Sequence, residues 1–243
     1  MAFETLFEQY DRLLIFDTET TGLHYQQDQI IEFAAVVVEK QGIIREYDQL
    51  ISLLPGTTIP EEITRLTGIT NEAVASRGIS KEQLAKDIAD MVSGNTLLLA
   101  YNAHFDLCFT YYHLMKHGNP AVLQGKDKLD LLTVYKDRHS YPHKLKNAID
   151  VYGLSDKVVN SHRAVDDVLA TVTVMEAMEQ EKNDITRYFY TREGKAYDIR
   201  KAYQPVLSEV CRLADPGSDQ PGNGGLFTAG DSQALRHGDQ RYQ

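Results

Sequence analysis

The sequence predicts an α/β fold, and three observations carry that expectation. Apolar, β-branched segments at Leu13–Phe16, Ile30–Val38 and Ile43–Leu53 follow one another closely, as sequential strands do. Capped, amphipathic helix patterns then alternate with one further short strand. The chain has 243 residues, of which 42% are hydrophobic, enough for a substantial core. At roughly 100 to 200 residues per domain, this length suits one large domain with an appendage. We place a main domain at residues 1–182, a small C-terminal extension at 183–214 and a tail at 215–243.

The first strand ends in Asp17-Thr-Glu19, followed by the turn-like Thr20-Thr-Gly22-Leu23, so acids stand where a buried strand meets solvent. Pro55-Gly56 breaks the third strand. Thr58-Ile-Pro-Glu61 reads as a capping box with the proline just inside a helix that Gly68 stops. Ser80-Lys-Glu-Gln83 repeats the signal and opens a longer helix, with Leu84, Ile88, Met91 and Val92 on one face. Thr96–Ala100 is the next strand. A helix then runs from Phe105 to Gly118, where Pro120 prevents its continuation.

Residues 126–146 read as a loop-rich basic stretch with six Lys or Arg, three Asp, His139 and His143. Helix patterns return at Leu145–Tyr152, ended by Gly153, and at His162–Glu181, whose apolar stripe is Val165, Leu169, Val172 and Met175 or Glu176. Ile185–Tyr190 suggests an extra strand and Tyr203–Leu213 a short helix. Residues 215–232 are rich in Gly, Pro, Ser and Asp, the composition of a flexible tail.

Composition excludes several classes. Only two cysteines, Cys108 and Cys211, stand far apart without CxxC spacing, which argues for free thiols in a reducing, cytoplasmic compartment. No run of about 18 apolar residues could span a membrane, and Met1–Asp11 carries acids instead of a basic export signal. A formal charge of -10, from 25 Lys plus Arg against 35 Asp plus Glu, disfavours general nucleic-acid coating, because cationic side chains supply most phosphate affinity.

The candidate chemistry lies in carboxylates. Asp17 and Glu19 are two apart on a strand, so both face the same side and can chelate a divalent cation. Alone, such a triplet marks no more than an exposed strand end. Asp106 opens a helix after a strand, where an acid also serves simply as a first-turn partner of the helix dipole. His162 and Asp167 are about 140° apart in helical phase, so His162 has to sit at or before the helix start to join its partner. Together, the acids all close or open predicted elements and could meet at one sheet edge. Hard oxygen donors suit Mg²⁺ or Mn²⁺, and no Cys and His cluster offers a zinc site.

The order DTETTG, NAHFD, HRAVDD, with His and the last Asp in H-x4-D spacing, resembles the DEDDh branch of the DnaQ-like 3′-5′ exonucleases. The similarity covers about residues 12–181, including PGTTIPEEITRLTGIT. It implies a ribonuclease-H-like fold with a central mixed five-stranded sheet flanked by helices. It also implies that Asp17, Glu19, Asp106 and Asp167 hold two Mg²⁺ ions, with Mn²⁺ able to substitute. His162 would be the general base; Thr20 and Leu23 would contact the terminal nucleotide, and Asn102 and Phe105 would shape its pocket. The implied substrate is the 3′ end of a single strand, cleaved to nucleoside 5′-monophosphates by a free-standing enzyme or a polymerase's proofreader. An RNA-trimming exonuclease is the nearest alternative, since the motifs do not settle the sugar. A non-catalytic replisome subunit is the alternative from another class, and the presence of all four acids weighs against it.

Weaker signals stay open. Tyr111, Tyr112, Leu114 and Met115 share a phase that suits packing. His104, His113, His117, His139 and His143 lack ligand spacing and read as surface or structural. The basic stretch either grips a single strand's backbone or is a solvated loop. Leu226-Phe227 faintly resembles the ending of sliding-clamp peptides, without their leading Gln, so docking to a clamp or DNA polymerase competes with an ordinary tail.

Overall fold

Five strands in the order β3-β2-β1-β4-β5 make one mixed sheet. The structure, a computed structural model, describes residues 3–158 and 161–189. The helix expected at Tyr203–Leu213, Cys211 and the Leu226-Phe227 pair lie outside them. β1 (Arg12–Thr20) is central, antiparallel to β2 (Ile30–Glu39) and parallel to β4 (Thr96–Ala100). β3 (Gly42–Leu50) is antiparallel to β2, and β5 (Lys128–Asp130) is parallel to β4. Register matters at one place: β1 pairs with β4 from Arg12 to Ile15 and Phe16 is level with Ala100, so Asp17–Thr20 run on past the end of β4.

Alternation along β1 divides the core. Leu13 and Ile15 face a layer formed by α5 (Leu131–Arg138), α6 (Leu145–Val151) and α7 (Ala164–Glu181). Leu14 and Phe16 face α3 (Lys81–Met91) and α4 (Ala103–His117). Two short helices, α1 (Glu61–Thr67) and α2 (Asn71–Arg77), cover a small separate cluster of Ile31, Ile59, Ile69 and Val74.

Several local expectations need correction, each for a packing reason. The capping box at Thr58 does not form. Ile59 is buried and its N–H donates to Asn71 Oδ1, which keeps the chain extended, so Pro60 becomes the N-cap and the helix starts at Glu61. α2 was not anticipated, although Thr70 caps it by accepting from Ala73 N. The basic stretch is not mainly loop: it contains β5 and α5, whose Leu129, Leu131, Val134 and Tyr135 are buried in the main core. The charged residues interspersed with them hide this burial from composition alone.

The phase of α7 also differs. Its buried face is Ala164, Val168, Thr171, Met175 and Met178, with Ala170 and Val174 beside it, whereas Leu169 is exposed. Val165 and Val172 are only half-buried. Small side chains let α7 approach β1 and β2 closely, so bulk was the wrong guide to its inner face. Ile185–Tyr188 forms a 3₁₀ turn, not a strand, and Ile185, Tyr188 and Phe189 close the core. Arg138 fixes that turn by donating to Met178 O, Lys182 O and the Asp184 carboxylate. On α4, Tyr111 and Leu114 are buried as expected, but Met115 is exposed. Cys108 is buried, and no helix among the described residues is long and apolar enough to cross a membrane.

Candidate metal centre and active site

The site forms where β1 outruns β4. Asp17 and Glu19 project from the same side of this overhang, toward α7, and a β-bulge after Glu19 alters the strand's pairing there. Asp167, in the first turn of α7, meets them from above. Carboxylate oxygens of Asp17, Glu19 and Asp167 all lie within 4.8 Å of one another. Asp106 arrives from the opposite side of the sheet, at the start of α4, and is buried. It lies outside that group of three, and its Oδ1 accepts from both the backbone N–H of Thr18, at 2.9 Å, and Thr18 Oγ1, at 2.8 Å.

Crowding is legible in the titration of these acids. Burial pushes Asp17 well above the ordinary carboxylate range, and the charges of Asp106, Asp167 and Glu19 push it further. Glu19 is pushed up to about 8 by burial, then by Asp167 and Glu32. Asp106 is pushed up to about 7 by burial, against the downward pull of the two Thr18 hydrogen bonds. A cluster of this kind is unstable as a set of anions and suited to a hard divalent cation, which reverses the local electrostatics. The donor set is all oxygen, so the residues fit Mg²⁺ or Mn²⁺.

His162 is exposed and stands immediately before α7, outside the helix proper, with φ at +57°. That position meets the requirement that its helical phase imposed. Thr20 is buried and its Oγ1 donates to Gly22 O at 2.6 Å, tightening the turn. Leu23 projects from that turn and is 65% exposed. Asn102 is the left-handed N-cap of α4, with φ 72°, a conformation asparagine tolerates. Phe105 is half-buried against Phe109, with ring centroids 4.8 Å apart.

Gly22 has a steric reason. A Cβ there would come within 2.5 to 2.9 Å of the Asp28 carboxylate. That carboxylate is already held by Thr21 Oγ1 and the His24 N–H. Gly22→Ala is therefore expected to displace Asp28 and cost about 1–3 kcal/mol, read as a fall in unfolding midpoint in urea.

Sequence reasoning missed the residues that support this site. Thr18 ties down Asp106. Asp130, half-buried at the end of β5, accepts from the backbone N–H groups of Asn102 and Leu132, each at 3.0 Å, and so fixes the start of α4. Burial pushes Asp130 up to about 6, opposed by those hydrogen bonds. Glu32 is buried near the start of β2 and binds Arg163. The available signal was a charge inside an otherwise apolar strand, which requires a partner.

The sequence matches the exonuclease family RNase_T over residues 14–175. The chain belongs to this exonuclease family. Among its relatives, a PolC-type DNA polymerase III of Clostridium perfringens is 33% identical over 202 residues, 82% of this chain and 13% of the relative. The DNA polymerase III subunit epsilon of Treponema pallidum is 29% identical over 182 residues, 73% of this chain and 82% of the relative. The chain thus spans only 13% of that PolC-type relative and 12% of the one from Caldanaerobacter subterraneus. E. coli exonuclease I, solved in complex with a dA16 oligonucleotide, shares the fold with a TM-score of 0.64 at 19% identity, over 73% of this chain and 42% of that one. The mixed sheet and the DnaQ-like resemblance of this exonuclease domain agree with these comparisons.

Proposed function

We propose that the protein is a metal-dependent 3′-5′ exonuclease that hydrolyses phosphodiester bonds at the 3′ end of single-stranded or frayed DNA and releases nucleoside 5′-monophosphates. The convergence of Asp17, Glu19 and Asp167 within 4.8 Å, with His162 exposed just ahead of the helix that carries Asp167, carries this reading. Family membership supports the reaction class. Two of the relatives are replicative polymerases or subunits of them, and exonuclease I was solved with an oligodeoxynucleotide, which favours DNA and a role in proofreading.

Asp17, Glu19 and Asp167, with Asp106 from the other side of the sheet, would hold two Mg²⁺ ions, and Mn²⁺ would substitute. Bound there, the ions supply Lewis acidity and neutralise charge on the phosphate. His162, exposed just ahead of α7, accepts the proton of the attacking water; an imidazole suits that task near neutral pH. Leu23 offers an apolar surface to the terminal base. Thr20 shapes the turn beneath it, and Asn102 and Phe105 border the pocket beside Asp106. A net charge of -10 then fits local, metal-dependent grip on a strand end.

The deciding assay uses 3′-labelled and 5′-labelled single-stranded DNA and RNA of equal sequence, with Mg²⁺, Mn²⁺ or EDTA. Mononucleotides should leave the 3′ end only with metal, and faster from DNA. Release from the 5′ end, or undiminished release in EDTA, would overturn the reading, and a faster rate on RNA would move the substrate to the trimming class. In the same assay His162→Ala should lose about 10²–10⁴-fold in turnover while binding Mn²⁺ normally. A collapse of Mn²⁺ affinity in that variant would remove His162 from the role of base.

A further inference from the structure

One buried acid beside the site has no place in the reaction above. Glu32 is fully buried on β2, directly across from Glu19 on β1, on the sheet face that α7 covers. Left alone it would be one more anion in a crowded cluster. Both of its oxygens are instead taken up by the segment that carries His162. Arg163 Nε donates to Oε1 at 2.9 Å and to Oε2 at 3.1 Å, Arg163 Nη2 donates to Oε1, and the backbone N–H of Ala164 donates to Oε2 at 2.8 Å.

Those contacts sit at a critical point of the chain. Arg163 is the N-cap of α7 and Ala164 its first residue, and the helix has no side-chain cap of its own. Glu32 supplies the missing acceptor from a strand 132 residues away in sequence. Its charge also lies at the positive end of the α7 dipole. On one side of the anchor is His162, held in a left-handed conformation that only firm surroundings maintain in such a residue. On the other is Asp167, whose N–H donates to Arg163 O at 3.1 Å, one turn into the helix.

We propose that Glu32 is a positioning residue of the active site: by clamping Arg163 and the Ala164 amide, it sets where His162 and Asp167 stand relative to Asp17 and Glu19. It touches neither substrate nor cation. The roles of His162 and Asp167 rest on the function proposed above, but the placement of Asp167 can be read by cation binding without any turnover. Outer-shell partners of this kind typically carry about 10- to 100-fold in metal affinity or activity. A misplacement of about 1 Å at a reacting group has a similar cost.

The test compares wild type with Glu32→Ala, Glu32→Gln, Arg163→Met and the Glu32→Ala/Arg163→Met double variant, all well below their unfolding temperatures. Mn²⁺ affinity is measured by electron paramagnetic resonance, and kcat and KM are measured on single-stranded DNA. Glu32→Ala and Arg163→Met should each weaken Mn²⁺ binding about 10- to 100-fold and lower kcat by a similar factor, with KM little changed. The double variant should be no worse than either single, as for two ends of one clamp. Glu32→Gln, which can still accept from Ala164 and Arg163, should lose less than about 10-fold. Folded variants whose Mn²⁺ affinity and kcat both stay near wild type would overturn the proposal, even if their melting temperature falls. Should Glu32→Ala fail to fold, Glu32→Gln and Arg163→Met decide the matter by the same measurements. If wild type binds Mn²⁺ but degrades no nucleic acid, the exonuclease reading fails, and the Mn²⁺ affinities still judge Glu32.

Discussion

Asp17→Ala or Asp167→Ala is expected to lower metal-dependent degradation by at least about 10³-fold and leave the fold intact, because each deletes one of the three converging carboxylates on which the proposed function rests. The stability effect should separate these acids from Asp106. Asp17 is destabilised as an anion by burial and by its neighbours, so removing it relieves repulsion, and the metal-free protein should melt no lower than wild type. Asp106→Ala instead leaves the buried Thr18 N–H and hydroxyl without their acceptor and should cost about 1–3 kcal/mol as well as activity. Circular dichroism melts in EDTA, run beside the 3′-end assay, check both statements. A near-normal rate from purified Asp17→Ala would refute the assignment of the site.

The second large effect is a dependence of stability on pH that the cation should reverse. Glu19 and Asp106 are pushed up to about 8 and about 7, and Asp17 is raised as well, whereas the same groups in the unfolded chain lose their protons near pH 4. Around neutrality the metal-free folded state therefore binds more protons than the unfolded state, and its stability falls as pH rises through the folded values. His113 works the other way: burial lowers it to about 4, so it favours the fold increasingly as pH rises toward its unfolded value near 6.5, and levels off above that. Between pH 6.5 and 8 the acids dominate, because the opposing gains from His113 and from Lys81, which burial lowers to about 8, are small there. There the melting temperature in EDTA should drop by about 5 °C, for roughly 2 kcal/mol, and Mg²⁺ should restore more stability at pH 8 than at pH 6.5. Asp17→Asn should flatten the slope. An EDTA melting temperature constant across that window would show that the acids are not coupled in this way.

The parts of the fold that announced themselves in sequence were those whose burial is symmetrical or whose caps are local. β4, buried on both faces, shows as the unbroken apolar run Thr96–Ala100, and Ser80 caps α3 through Gln83 N as its spacing demands. The carboxylates of the site were legible because their motifs fix them to element ends, and three of the four meet. What stayed hidden depends on distant partners. The inner face of α7 is chosen by closeness to β1 and β2, which favours Ala164 and Thr171 over Leu169. β5 and α5 bury Leu129, Leu131, Val134 and Tyr135 between charged residues that are themselves covered by distant partners, so a window of composition reads them as loop. Glu32 passes unnoticed inside an apolar strand pattern because the donors it satisfies come from α7, 132 residues away.

The overhang of β1 has a consequence beyond ligand geometry. A strand that outlasts its neighbour leaves main-chain groups able to pair with any extended peptide, the usual starting point for edge-to-edge association. Here the Thr18 N–H, which would face that missing neighbour, is occupied by a side chain from α4. Asp106 thus serves as a stopper for the sheet as well as a member of the acidic site.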